Sequence, residues 1–79
     1  MTINLTGRHR AIVEAMRLFD YDHLPPHLQD HSKRFAQLAE SLVTALPDDP
    51  VLTTALWRLW ESKNCAVFLA ARGPAGDSE

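Results

Sequence analysis

The chain contains a single cysteine, Cys65, so no internal disulfide can staple it, and that usage fits a reducing compartment. Its three glycines are too few and too scattered to form a phosphate-cradling loop. No charge sign dominates either. Eight Lys and Arg against ten Asp and Glu leave a net charge of −2, so no global field draws the chain toward nucleic acid or an anionic membrane. The longest apolar run, Cys65–Ala71, is seven residues, far short of a membrane span. The opening MTINLTGRHR lacks the apolar core of a signal peptide. Strand alternation, internal repeats and low-complexity blocks are also missing. These absences lead us to expect a small cytoplasmic protein with no membrane partner.

What is present is apolar surface and prolines. At 79 residues and 46% hydrophobic content the chain is one ordered domain, yet a lone chain of this size buries only a marginal core. The prolines divide it. Residues 1–5 read as a frayed arm, and Thr6 is placed to cap a short helix from Gly7 to about Phe19. The linker DYDHL then runs into Pro25-Pro26. The residue before a proline is pushed away from helical angles, while the prolines themselves suit the first turn of a second helix over about 26–45. Apolar residues at 28, 35, 38, 39, 42, 43 and 46 give that helix one amphipathic face, with a polar turn at His31–Ser32. In the connector LPDDP, Asp49 suits an N-cap and Pro50 a first helical turn. The third helix stops at Arg72, before Gly73-Pro74. Two helices of about 20 residues, roughly 30 Å each, joined by so short a connector lie antiparallel. The expectation is an all-α fold: residues 1–24 as arm, short helix and linker, 25–72 as an antiparallel helical hairpin, and 73–79 as a flexible tail.

The third helix is too apolar for a single neighbour. Leu52, Leu56, Leu59, Lys63, Ala66 and Ala70 form one stripe at helical spacing; Trp57, Asn64 and Phe68, flanked by Trp60 and Leu69, form another. A surface helix normally carries one apolar face. Two faces predict two neighbours, and so a homo-oligomer with Trp57, Trp60 and Phe68 at its interface.

Few residues carry chemistry. His23, His27 and His31 are spaced by four, but the prolines separate His23 from the helix, and two histidines with Asp30 nearby fall short of a closed metal site. No metal and no cofactor is expected. Ser32, Ser41, Ser62 and Cys65 are nucleophiles by type only, and Cys65, inside an apolar run, reads as inert packing. Glu61 reads as an i,i+3 surface partner of Arg58. No catalytic residue emerges, and an enzyme is not expected. The remaining constellation is Tyr21 in the linker, Lys33 and Arg34 on the second helix, and Arg58 between the tryptophans. Rings that stack on bases and cations that pair with phosphates are what a nucleotide ligand requires. The plainer reading makes the tryptophans oligomer core, the two basic residues a solvated helix face, and Tyr21 a linker anchor.

Residues 20–72, YDHLPPHLQDHSKRFAQLAESLVTALPDDPVLTTALWRLWESKNCAVFLAAR from Tyr21 onward, resemble a known family. Its members read Tyr-x-x-Leu, a long helix, a short turn containing Leu-Pro, then a second long helix rich in Ala, Leu and Arg. It is the small helical-hairpin family of phage proteins that sequester immune cyclic nucleotides, countering CBASS (cyclic-oligonucleotide-based defence) and Thoeris. The pattern also resembles actinobacteriophage proteins of this hairpin group. The resemblance implies a homohexamer with ligand pockets between protomers. A tyrosine before the first hairpin helix stacks on a base, a lysine on that helix meets phosphate, and an arginine on the second helix serves another pocket. Tyr21 matches the tyrosine, with Leu24 at the family's spacing, and Arg58 matches the arginine. The lysine position falls near Phe35, so Lys33 or Arg34 is the nearest basic residue.

Two main functions follow as expectations. The first is a sponge for a cyclic oligonucleotide or a cyclic ADP-ribose-type signal, which needs affinity and no catalytic group. The second is a protein-interaction module binding a host or phage protein through the second apolar face. Nucleic-acid binding through the first helix has little to stand on, since Arg8, Arg10 and Arg17 against Glu14 give only 3 − 1 = +2 over residues 1–17.

Overall fold

The computed structural model describes residues 4–72, and it is all-helical: α1 (Arg10–Arg17), α2 (Pro26–Ala45) and α3 (Pro50–Arg72). The expected tail, 73–79, and residues 1–3 of the expected arm lie outside the described residues. The prolines act as the sequence implies. Pro25 stands at the N-cap of α2 in extended geometry, with Pro26 at the first helical position. Leu46 leaves α2 at φ −117° and ψ 149°, the extended conformation that the following Pro47 favours. Asp49 caps α3, its Oδ1 accepting from the backbone N–H of Val51 at 2.8 Å.

The first helix begins later than expected. Gly7 sits at φ +82°, a left-handed conformation that cannot belong to a right-handed helix, so Thr6 caps nothing there. His9 takes over as N-cap, with its Nδ1 accepting from the Ala11 N–H at 3.0 Å. Leu5, assigned to the frayed arm, packs against the core.

The core collects Ile12, Ala15, Met16 and Phe19 from α1 and its exit, Ala36, Ala39 and Val43 from α2, and Leu52 and Leu56 from α3. The buried seam of α2 differs from the expected face. Leu28, Ser32, Ala36, Ala39 and Val43 are buried, whereas Leu38 and Leu46 are exposed. The small side chains at 32, 36 and 39 let two long helices approach closely, which rotates the larger Leu38 outward. On α3 the first expected stripe is the inner one: Leu52, Leu56 and Lys63 are buried, with Leu59, Ala66 and Ala70 half-buried.

Eight residues make α1 roughly 12 Å long against roughly 35 Å for α3. Arg8 fixes it beside the α2–α3 turn. The guanidinium donates to the carbonyls of Val43 (2.5 Å) and Leu46 (2.9 Å), and Nε meets Asp48 at 2.5 Å. Val43 lies in the last turn of α2 and Leu46 is its C-cap, where carbonyls have no partner within the helix. The backbone N–H of His9 also donates to Asp48 Oδ2. Further along, the linker is held to α2 by Gln29, whose side-chain amide donates to the carbonyls of Leu24 (2.8 Å) and Asp22 (3.4 Å).

Candidate functional site

Of the four residues expected to hold a ligand, Tyr21 is half-buried and the other three are exposed. Tyr21 is half-buried against the core, as the plainer reading of a linker anchor had it. Lys33 and Arg34 are exposed on α2. Since each helical residue turns the side chain by about 100°, Arg34 lies about 200° around α2 from buried Ser32, on the outer side of the hairpin. Arg58 lies the same angle around α3 from buried Leu56, so it too faces outward. It pairs with Glu61 at 3.4 Å across an exposed i,i+3 step. His27 is exposed and His31 half-buried, and among the described residues no group of three or more His, Cys, Asp or Glu comes together.

A cleft of about 290 Å³ does exist, but at the turn, lined by His9, Ala11, Ile12, Asp48, Asp49, Pro50 and Thr53. None of the four expected ligand residues lines it. Asp48 at its rim has its pKa lowered, chiefly by the hydrogen bond from the His9 N–H; desolvation opposes this, and the Arg8 guanidinium lowers it further. It serves the fold, by joining α1 to the turn.

The second face of α3 is covered by none of the described residues. Trp57 is 45% exposed and Phe68 65%, with Asn64 and Leu69 exposed beside them. The Trp57 and Trp60 rings stand edge to face, centroids 5.4 Å apart and planes at 88°. The expected interface therefore divides: Trp60 turns into the molecule and packs against the core, while Trp57 and Phe68 remain outside. Arg72 lies over the Phe68 ring, 5.5 Å from its centroid, and places a cation at the end of the strip. Cys65 is exposed rather than packed. It follows buried Lys63 by two residues, about 200° around α3, and so points away from α2. No helix among the described residues is long and apolar enough to cross a membrane.

Two residues in the seam stand out that sequence reasoning did not single out as a site. Ser32 is fully buried, and its Oγ has no hydrogen-bond partner. Lys63 is only 8% exposed, and no ion pair or side-chain hydrogen bond among the described residues engages it. Burial lowers its pKa from 10.5, because desolvation penalises the ammonium form. A signal for both was visible: Ser32 in the polar gap of α2, and a lysine in the middle of the Leu/Ala stripe of α3.

Compared with known protein families, with curated proteins and with solved structures, the chain matches none.

Proposed function

We propose that this chain is a non-enzymatic binding protein that self-associates and holds small anionic signalling nucleotides between protomers. The ligand class is the one implied by the hairpin resemblance: cyclic di- and trinucleotides of CBASS or cyclic ADP-ribose variants of Thoeris. The role is that of a phage anti-defence sponge acting in the host cytoplasm, and the resemblance extends to a hexameric assembly. The observation that carries this reading is the uncovered strip of Trp57, Phe68 and Leu69 on α3, bordered by the outward cations Arg58 and Arg72. Apolar surface of this kind marks a place where a partner sits. With Arg34, Arg58 and Lys33 spread over different sides of one chain, a pocket that uses them needs more than one chain to close.

The protein-interaction reading draws on the same strip. An amphipathic partner laid along Trp57 and Phe68 would bury them without any use for Arg34 on the far side of α2. The two readings therefore separate on Arg34.

The test is a thermal-shift panel of cyclic di- and trinucleotides and cyclic ADP-ribose variants, combined with light scattering. A bound nucleotide raises Tm by mass action. Tyr21→Ala is a poor reporter because the ring also packs on the core. Arg34→Ala and Arg58→Ala alter exposed side chains, so they should remove the shift while leaving unliganded Tm within a few degrees. A panel without any shift, or a scattering mass of one chain at all concentrations, would end the sponge reading.

A further inference from the structure

We infer that Lys63, at the level of the enclosed Ser32 hydroxyl, is the subsite that takes a phosphate group of the bound ligand, a role no exposed cation of the chain fills as well. The inference rests on the nucleotide reading above and changes which residue meets the phosphate.

The register of the hairpin places the two residues at one level of the seam. Val43 and Leu52 flank the turn, and Ala39 and Leu56 lie four residues further along their antiparallel helices; all four are in the core. Ser32 and Lys63 each lie eleven residues from the Val43 and Leu52 level, at matching height, roughly 16 Å along the seam. Both are buried members of the faces that α2 and α3 turn toward each other.

Each is a liability to an isolated fold. A buried hydroxyl without a partner costs stability, as does a cation withdrawn from water without a counter-ion. Serines inside helices commonly donate to the carbonyl one turn back, and Ser32 does not. A methionine at 63 would fill the same space without the charge. Lys63 is 8% exposed as a whole, so its stem is enclosed in the seam, and a long cationic side chain held in this way turns its charged tip toward the nearest water. An anion arriving there meets a partly desolvated ammonium, against which a charge-assisted bond is stronger than against the exposed Lys33. Trp60, one turn before Lys63 and half-buried, offers an adjoining aromatic surface. Neither of the other prominent features supplies this combination. The cleft at the turn is mostly apolar and carries Asp48 and Asp49, which repel anions, and Cys65 is a lone exposed thiol.

The chain has only two lysines, Lys33 and Lys63, which makes the test clean. Pyrophosphate serves as the probe, with ionic strength held constant by sodium chloride, and Tm is followed for the wild type, Lys63→Met and Lys33→Met. The wild type and Lys33→Met should rise on the order of 5 °C once pyrophosphate exceeds its dissociation constant several-fold. Lys63→Met should melt at or above the wild-type temperature without pyrophosphate and show no rise with it. A wild type that does not respond, or a Lys63→Met that responds like the wild type, overturns the subsite. The two levels of inference separate on the nucleotide panel. A pyrophosphate shift that depends on Lys63, with no nucleotide shift, keeps the subsite and removes the nucleotide reading. A nucleotide shift that survives Lys63→Met does the reverse.

Discussion

The two ends of the hairpin solve the same packing problem differently. At the turn end a third helix closes the core, and the polar groups drawn in are matched: Arg8 meets the last carbonyls of α2 and the Asp48 carboxylate, and Asp49 caps α3. At the far end two helices meet over Ser32 and Lys63, which have no polar partners among the described residues, and Phe68 and Leu69 stay exposed. One end looks optimised for folding. The other retains features that a fold alone would discard, and such local conflicts tend to mark functional surfaces.

If the turn end holds the molecule together, damage there should dominate. Phe19 is fully buried in the core that α1 closes, in one cluster with Val43, Leu52 and Leu56 from either side of the turn. Phe19→Ala should cost about 3–5 kcal/mol by lost burial and the cavity left behind. That is a large fraction of the roughly 5–15 kcal/mol available to a small domain. Urea unfolding followed by circular dichroism measures it, and a loss under about 1 kcal/mol would erase the contrast between the ends.

The clamp comes next. Arg8→Ala leaves the α2 carbonyls of Val43 and Leu46 without their donor and should cost about 2 kcal/mol. Arg10→Ala, two residues on and paired only with Glu14 in solvent, should cost no more than about 0.5 kcal/mol. Acid probes the same clamp. The folded-state pKa of Asp48 is lowered below 3.8 by the His9 N–H and Arg8, so its contribution is fully present above the unfolded value. It disappears as pH falls through the lowered folded value. Urea midpoints taken from pH 7 down to pH 3 and below should therefore fall less steeply for Asp48→Asn than for the wild type.

The two ends were also unequally legible in the sequence. Proline positions and the Asp49 cap are local effects, so α2 and α3 came out with the observed limits. The stripe of Leu52 and Leu56 was clear for the same reason. The clamp was not legible, because Arg8 and Asp48 are forty residues apart and nothing local joins them. Gly7 hid the start of α1, since a glycine in the sequence does not fix the sign of its φ. The seam of α2 was misjudged by weighing hydrophobicity over size. Ser32 and Ala36 are buried because they are small, and Leu38 is exposed because a close helix pair has no room for it there. The ligand residues were chosen by type and resemblance, which carry no information on direction, and the helical phase then set Arg34 and Arg58 outward.

Ser32→Ala tests the far end with a smaller effect of opposite sign. Removing an unpartnered buried hydroxyl while keeping the methylene should leave stability unchanged or raise it by up to about 1 kcal/mol. A loss above that size would mean that the hydroxyl has a partner in solution, and the far end would then be as well matched as the turn. Hydrogen exchange of the α2 amides around residue 32 locates the change.

The smallest effect on the single chain is expected where the exposed surface is largest. Phe68 is 65% exposed and rests mainly beneath Arg72. Phe68→Ser should therefore alter stability by no more than about 0.5 kcal/mol in dilute solution. If chains meet over this strip, the wild-type Tm rises with protein concentration, because association stabilises the folded form by mass action. Phe68→Ser should flatten that dependence while leaving the dilute-limit Tm in place. A variant that unfolds even when dilute would instead place Phe68 in the core of each chain. The far end would then be a second folding centre, and its unmatched lysine would lose its claim to be there for a ligand.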